Sequence, residues 1–189
     1  MISLHMLSLR NFPPATFVEK KRNKMKLLNA KGLKVLKIFH LLFATMWIGG
    51  VMALVSLQLG AIPETKEMMY MGALAHLIVD KFFLIPGGVG IVITAIVYGL
   101  FTSWGFFKHN WITVKWVLTI FLVVIGAGYM GVLIERNIEY SELILAGNHP
   151  TEQYWENVYS VAIAGIIQLI AFLFVVIISV VKPWKKKSK

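Results

Sequence analysis

One histidine stands inside an apolar stretch of helix length, and its chemistry asks for an explanation. His40 lies about a quarter of the way into the mostly apolar segment 34–58. An ionisable side chain inside a membrane span is costly and marks a functional site by default. Imidazole binds metal ions and titrates near neutral pH, so His40 is a candidate axial ligand of haem iron or a proton-relay group. The alternative is a neutral histidine that only hydrogen-bonds a neighbouring helix.

Three polar residues of later apolar stretches are candidates to share a pocket with His40. The middle of each stretch is placed near Trp47, Ile93, Val123 and Leu169. At 1.5 Å per residue, His40 then lies roughly 10 Å to one side of the middle, Tyr98 about 8 Å, Lys115 about 12 Å and Thr102 about 13 Å. Lys115 is a candidate to bind an anionic group such as a haem propionate or a lipid phosphate, and the alternative is a lysine that snorkels to the interface.

No second histidine shares the predicted depth of His40. His76 and His149 lie in segments on the other side of the membrane, and His109 lies in a turn. The chain has no cysteine, which excludes disulfides, thiolate metal sites and a cysteine nucleophile. If His40 binds haem or a metal ion, the sequence therefore predicts that it does so without a histidine partner from another span. The sequence singles out no catalytic residue.

The elements that carry these residues are four apolar stretches. Apolar residues make up 58% of the 189 positions, charged residues only 15%, and the mean hydropathy is +0.72. Each stretch is long enough for a hydrocarbon core of ~30 Å, and only helices satisfy their backbone groups there. The sequence therefore predicts an all-α fold, a four-helix transmembrane bundle in contact with the lipid bilayer. The predicted spans are 34–58, 82–104, 111–134 and 157–181, within a transmembrane domain 34–181.

Basic tails flank this domain at 1–33 and 182–189. Residues 1–24 are interpreted either as a disordered extension or as lying before the true translation start, since Met25 is a plausible alternative start codon position. Sixteen of the nineteen Lys and Arg residues fall in the stretch up to Lys37, in the turn at 105–115 and in the tail from Lys182, and eight of the nine acids fall in the loops 59–81 and 135–156. The positive-inside rule then places both termini in the cytoplasm and the protein in the cell (inner) membrane. Because the basic residues flank apolar spans, nucleic acid is not an expected partner.

The first span carries a family resemblance. The run His40-x6-Trp47-x-x-Gly50, preceded by Lys37, resembles the first helix of the HemJ-type protoporphyrinogen oxidases. It is also similar to the related four-helix proteins of the CopD and uncharacterised bacterial membrane protein families.

Two further motifs extend the resemblance to the second and third spans. Lys81 through Pro86, followed by glycines, is similar to the opening of that family's second long helix, and Trp111-x-x-x-Lys115 resembles the start of its third. The resemblance implies haem b near His40 and a functional lysine at Lys115. The family's Tyr-His pair late in the third helix has no counterpart, because 126–130 reads GAGYM. We therefore expect a relative of the enzyme rather than the enzyme itself.

Two functional hypotheses remain open. In the first, the protein binds b-type haem for redox chemistry through His40, and as an enzyme it would be a haem-dependent membrane oxidoreductase. In the second, it is a non-enzymatic membrane protein, either a small transporter or an assembly partner, and His40 is structural. A redox partner or a homo-oligomer is compatible with the first hypothesis, and the substrate is not encoded in any motif.

Overall fold

The computed structural model describes residues 27–60 and 62–183, which form helices and short connections. The predicted extension 1–24, the alternative start at Met25 and most of the tail 182–189 lie outside the described residues. The elements in chain order are α1 Ala30–Gly60, α2 Lys66–Val79, the π-helical segment π1 Asp80–Leu84, α3 Ile85–Phe101, α4 Asn110–Val123, the π-helical segment π2 Val124–Met130, α5 Gly131–Leu145 and α6 Thr151–Val181.

These elements make four long helices, because α2, π1 and α3 are continuous and so are α4, π2 and α5. They have 31, 36, 36 and 31 residues, and each is long and apolar enough to cross a membrane. Only 22% to 33% of the residues in their most apolar stretches are buried inside the bundle. The remainder presents large apolar side chains outward, a surface that a water-soluble protein does not carry. The chain is therefore an all-α, multi-pass integral membrane protein, as the sequence predicts.

Two of the long helices extend well beyond the spans predicted from hydropathy. The second begins at Lys66, after Thr65 accepts a hydrogen bond from the Met68 amide at 3.2 Å. The third continues to Leu145, so the connection expected over 135–156 shrinks to 146–150. The predicted ends of the spans were placed where polar residues begin. A helix can nevertheless continue beyond the membrane into the aqueous phase. The limits of each span within the bilayer stay a prediction.

The closest helix contact joins α1 to α3. A Cβ atom built on Gly87 would lie 2.7 Å from the Trp47 backbone nitrogen, and one built on Gly90 would overlap the Phe43 ring. Glycine at these positions therefore allows the two backbones to approach. In turn α1 and α5 pack on α6, and α2 packs on α5. The Trp47 ring meets the Phe172 ring edge-on at 5.0 Å between centroids, in the middle of the apolar core.

The π1 segment has a local cause in the sequence. Pro86 has no amide hydrogen and its ring crowds the carbonyl four residues earlier. The Ile85 amide donates to the Asp80 carbonyl, five residues back, so the helix is widened immediately before the proline. The wider turn keeps the helix continuous through the proline.

The four long helices alternate in direction, which gives the bundle two distinct ends. At one end the Leu28 amide donates to the Phe101 carbonyl at 3.0 Å, and Lys182 lies over the Trp104 ring. We call this the 102–109 end, after its connecting turn. The opposite end carries the connecting residues 62–65 and 146–150 and is called the 146–150 end.

Candidate functional site

His40 is held on α1 by a hydrogen bond to α3. Its Nδ1 lies 2.8 Å from the Thr94 hydroxyl oxygen. That hydroxyl in turn donates to the Gly90 carbonyl at 2.7 Å, with the Ile91 carbonyl at 3.1 Å. Thr94 is buried, and His40 is half-buried. The histidine is therefore fixed by a short relay that ends on the α3 backbone.

The relay determines which ring nitrogen of a neutral His40 carries hydrogen. A threonine hydroxyl has one hydrogen, and Thr94 directs it to backbone carbonyls of its own helix. Toward His40 the Thr94 hydroxyl oxygen can therefore only accept a hydrogen bond. The hydrogen of this bond must come from the ring, so the proton is assigned to Nδ1. Nε2 then keeps its lone pair, and it makes no hydrogen bond within residues 27–60 and 62–183. A histidine ligand of a metal has this same arrangement, with one nitrogen anchored and the other free.

Tyr98 brings an aromatic ring against the histidine. The His40 and Tyr98 ring centroids lie 5.4 Å apart at an interplanar angle of 84°. Tyr98 continues into a chain of rings, with Trp104 at 6.5 Å and Trp111 a further 5.5 Å on. The side of His40 that faces the 102–109 end is therefore lined by aromatic surface.

Two lysines lie on this aromatic surface. The Lys115 ammonium is 5.9 Å from the Trp111 ring centroid, and the Lys182 ammonium is 5.9 Å from the same ring and 5.5 Å from Trp104. Each distance is within the range of a cation–π contact. No carboxylate forms a salt bridge with either lysine in the described part of the chain. The two charges therefore create a positive region near His40 that suits an anionic group.

Among the described residues, no hydrogen bond joins Thr102 to His40. The Thr102 hydroxyl donates to the Tyr98 carbonyl at 2.6 Å and accepts from the Trp104 amide at 3.2 Å. These bonds close the last turn of α3, so the visible role of Thr102 is to end the helix. The expectation that Thr102 shares a pocket with His40 stays a prediction.

The sequence did not predict that Thr94 lies beside His40, because the predicted register between the first and second spans was wrong. The sequence-based prediction placed Trp47 and Ile93 at the same depth in the membrane, whereas the structure packs Trp47 against Gly87. This shift of about 9 Å along the helix, six residues at 1.5 Å each, brings Thr94 level with His40. The glycines of α3 were the available signal, since small residues mark where two membrane helices come closest.

Some side chains at this end are of the kind that would hold a b-type haem. Nε2 of His40 would be available to its iron, and the Lys115 and Lys182 ammonium groups would balance the charge of two propionates. The tight contact of Gly87 and Gly90 with α1 leaves no space for a planar group between these two helices. A ligand of His40 would therefore lie outside that contact.

No family model, curated protein or solved structure matches the chain. The resemblance to the HemJ-type and CopD families consequently stays a hypothesis, which rests on the three short motifs around His40, Pro86 and Lys115.

Proposed function

We propose that this integral membrane protein binds b-type haem through His40 and uses it in redox chemistry. The observation that supports the proposal is the relay from His40 to Thr94 to the Gly90 carbonyl, which leaves Nε2 free. When bound, haem would supply one-electron transfer, with a potential set by its axial ligand and surroundings.

Each residue of the site has a separate role in this proposal. His40 donates the Nε2 lone pair, and Thr94 holds the ring orientation through Nδ1. Lys115 and Lys182 attract the anionic edge of the ligand, while Tyr98 covers one side of the imidazole. Electrons would pass to or from a redox partner at the membrane.

The absorption spectrum of the purified protein tests this function. Protein extracted in detergent from cells supplied with haem should show a Soret band, and His40→Ala should abolish it. His149→Ala is the matched control, because His149 is exposed at the 146–150 end and should leave the band unchanged. A colourless wild-type preparation, or a band that persists in His40→Ala, would exclude His40 as a haem ligand.

A second candidate function is a non-enzymatic one, such as a small transporter or an assembly partner. It is favoured by the same relay, because the bond to Thr94 and the contact with Tyr98 are also what a structural histidine makes between two helices. In this case His40→Ala would lower the melting temperature, and neither variant nor wild type would absorb in the Soret region.

A further inference from the structure

A small cavity with polar and apolar lining lies in the half of the bundle away from His40, toward the 146–150 end. Its volume is about 20 Å³, and four of its lining side chains are polar: Gln58, His76, Asn137 and Tyr154. These residues come from α1, α2, α5 and α6, so all four long helices contribute. A volume of ~10–15 Å³ is enough for one water-sized guest. The cavity therefore accommodates one small molecule or ion, and nothing larger.

Two of the polar atoms in these lining side chains are fixed as acceptors. The Gln58 amide nitrogen donates to the Val158 carbonyl at 2.9 Å, which directs its Oε1 away from that bond. The His76 Nδ1 lies 2.7 Å from the Gly72 carbonyl, and a carbonyl only accepts, so Nδ1 carries the hydrogen. Nε2 of the neutral ring is then an acceptor. Both Gln58 Oε1 and His76 Nε2 are buried and have no hydrogen-bond partner among residues 27–60 and 62–183.

Asn137 and Tyr154 add to this set. Asn137 is 7% exposed, and its buried Oδ1 likewise has no partner in the described part of the chain. The Tyr154 hydroxyl donates its single hydrogen to the Met69 carbonyl at 3.2 Å, so toward a guest it can only accept. Turning the Asn137 amide would exchange one acceptor for a donor, but Gln58 Oε1 and His76 Nε2 would stay acceptors.

We propose that this cavity binds an ammonium ion. A buried acceptor without a hydrogen bond destabilises the folded protein, so a guest that donates several hydrogen bonds is favoured. Water donates two hydrogen bonds, whereas ammonium donates four, one for each polar side chain of the lining. Alkali and alkaline-earth ions prefer shells of oxygen ligands, and an imidazole nitrogen in the lining makes them poorer guests.

A buried acid lies one helical turn from a lining residue. Asp80 follows His76 by four residues, which places the two on the same face of the helix. Asp80 is 3% exposed, and it takes no part in the single salt bridge found among the described residues, between Lys81 and Glu135. Asp80 does not line the cavity, and Lys81 is its neighbour in the chain, so a cation is favoured by the acceptors of the lining itself.

Thermal unfolding in different chloride salts tests the proposal with the full-length protein in detergent. At equal ionic strength, NH4Cl should raise the melting temperature of the wild type in a saturable manner, because a ligand that binds only the folded state stabilises it. KCl, NaCl and choline chloride should not, and methylammonium should be excluded by its size. Gln58→Leu and Asn137→Leu should each abolish the ammonium effect. Gln153→Leu, at an exposed position of α6, should keep it.

Three results would overturn the proposal. The first is an equal response to all chlorides, which would show a general salt effect and a cavity filled by water only. The second is an ammonium response that persists in both Gln58→Leu and Asn137→Leu. The third is the absence of binding heat when NH4Cl is titrated into the wild type in KCl buffer, and this measurement decides the question even where the variants fail to fold. None of these outcomes depends on whether His40 binds haem.

Discussion

At the scale of single residues, the contact between His40 Nδ1 and the Thr94 hydroxyl determines the orientation of the imidazole and which nitrogen is free. Thr94→Val keeps the shape of the side chain and removes the acceptor. The Nδ1 hydrogen would then lack a partner, at a cost of about 1–3 kcal/mol. We expect the free energy of unfolding, measured with denaturant in detergent, to fall by that amount. Any haem affinity should fall about 10–100-fold, as is typical when the residue that orients a metal ligand is lost.

Thr45→Val is the control for this change. Thr45 is exposed on α1, and its hydroxyl donates only to the Leu42 carbonyl of the same helix, at 2.8 Å. We expect its unfolding free energy to match that of the wild type. If Thr94→Val unfolded no more easily than Thr45→Val, the bond to His40 would contribute nothing, and the assignment of a free Nε2 would lose its basis.

The sequence could identify these residues by type but could not align them. His40, Tyr98 and Lys115 stand out because each is polar or charged within an apolar stretch, and the structure brings His40 and Tyr98 into contact. Their relative depth depended on where the middle of each span was placed. Hydropathy is nearly flat along such a stretch, so it carries little information on the register between two helices, and Thr94 was overlooked for that reason.

At the scale of elements, the number and type of helices followed from the sequence, while their lengths did not. Four apolar stretches predict four helices because a bilayer leaves the backbone no other solution. The segment 135–145 continues the third helix although it contains three glutamates. Its buried face, with Ile134, Asn137 and Ser141, packs inside the bundle. Composition averaged over a window cannot separate such a polar helix from a loop, whereas the spacing of these buried residues can.

Gly87 offers a test of the packing between α1 and α3. In Gly87→Ala the new methyl group would meet the Trp47 backbone, at 2.7 Å from its nitrogen. Backbone atoms cannot move aside as a flexible side chain can, so the two helices must separate. Overpacking of this kind costs about 1–3 kcal/mol. We expect the melting temperature of the detergent-solubilised protein to fall.

Gly49→Ala is the matched control, because a Cβ atom there meets nothing within 4 Å. Alanine is favoured over glycine inside a helix by about 0.5–1 kcal/mol, so Gly49→Ala should leave the melting temperature unchanged or raise it. Equal effects from the two substitutions would mean that the close approach of α1 and α3 is not required for stability.

At the scale of the whole molecule, the bundle separates its two polar sites. His40, Lys115 and Lys182 belong to the half near the 102–109 end, whereas Gln58, His76 and Asn137 belong to the half near the 146–150 end. The apolar core around Trp47 and Leu54 lies between them. The helix arrangement makes the two sites face opposite sides of the membrane, but it does not tell which side is the cytoplasm. That assignment depends on the distribution of charge in the sequence.

Cysteine labelling tests the orientation, and the chain suits it because it has no cysteine of its own. Sixteen of the nineteen basic residues lie at the 102–109 end or in the tails, which predicts that this end is cytoplasmic. A membrane-impermeant maleimide added to intact cells should label Asn148→Cys, whose position is exposed in the 146–150 connection. It should label Lys108→Cys, exposed in the opposite turn, only after the membrane is opened. The reverse pattern would place His40 in the outer half of the bilayer, and the proposed ammonium site would then face the cytoplasm.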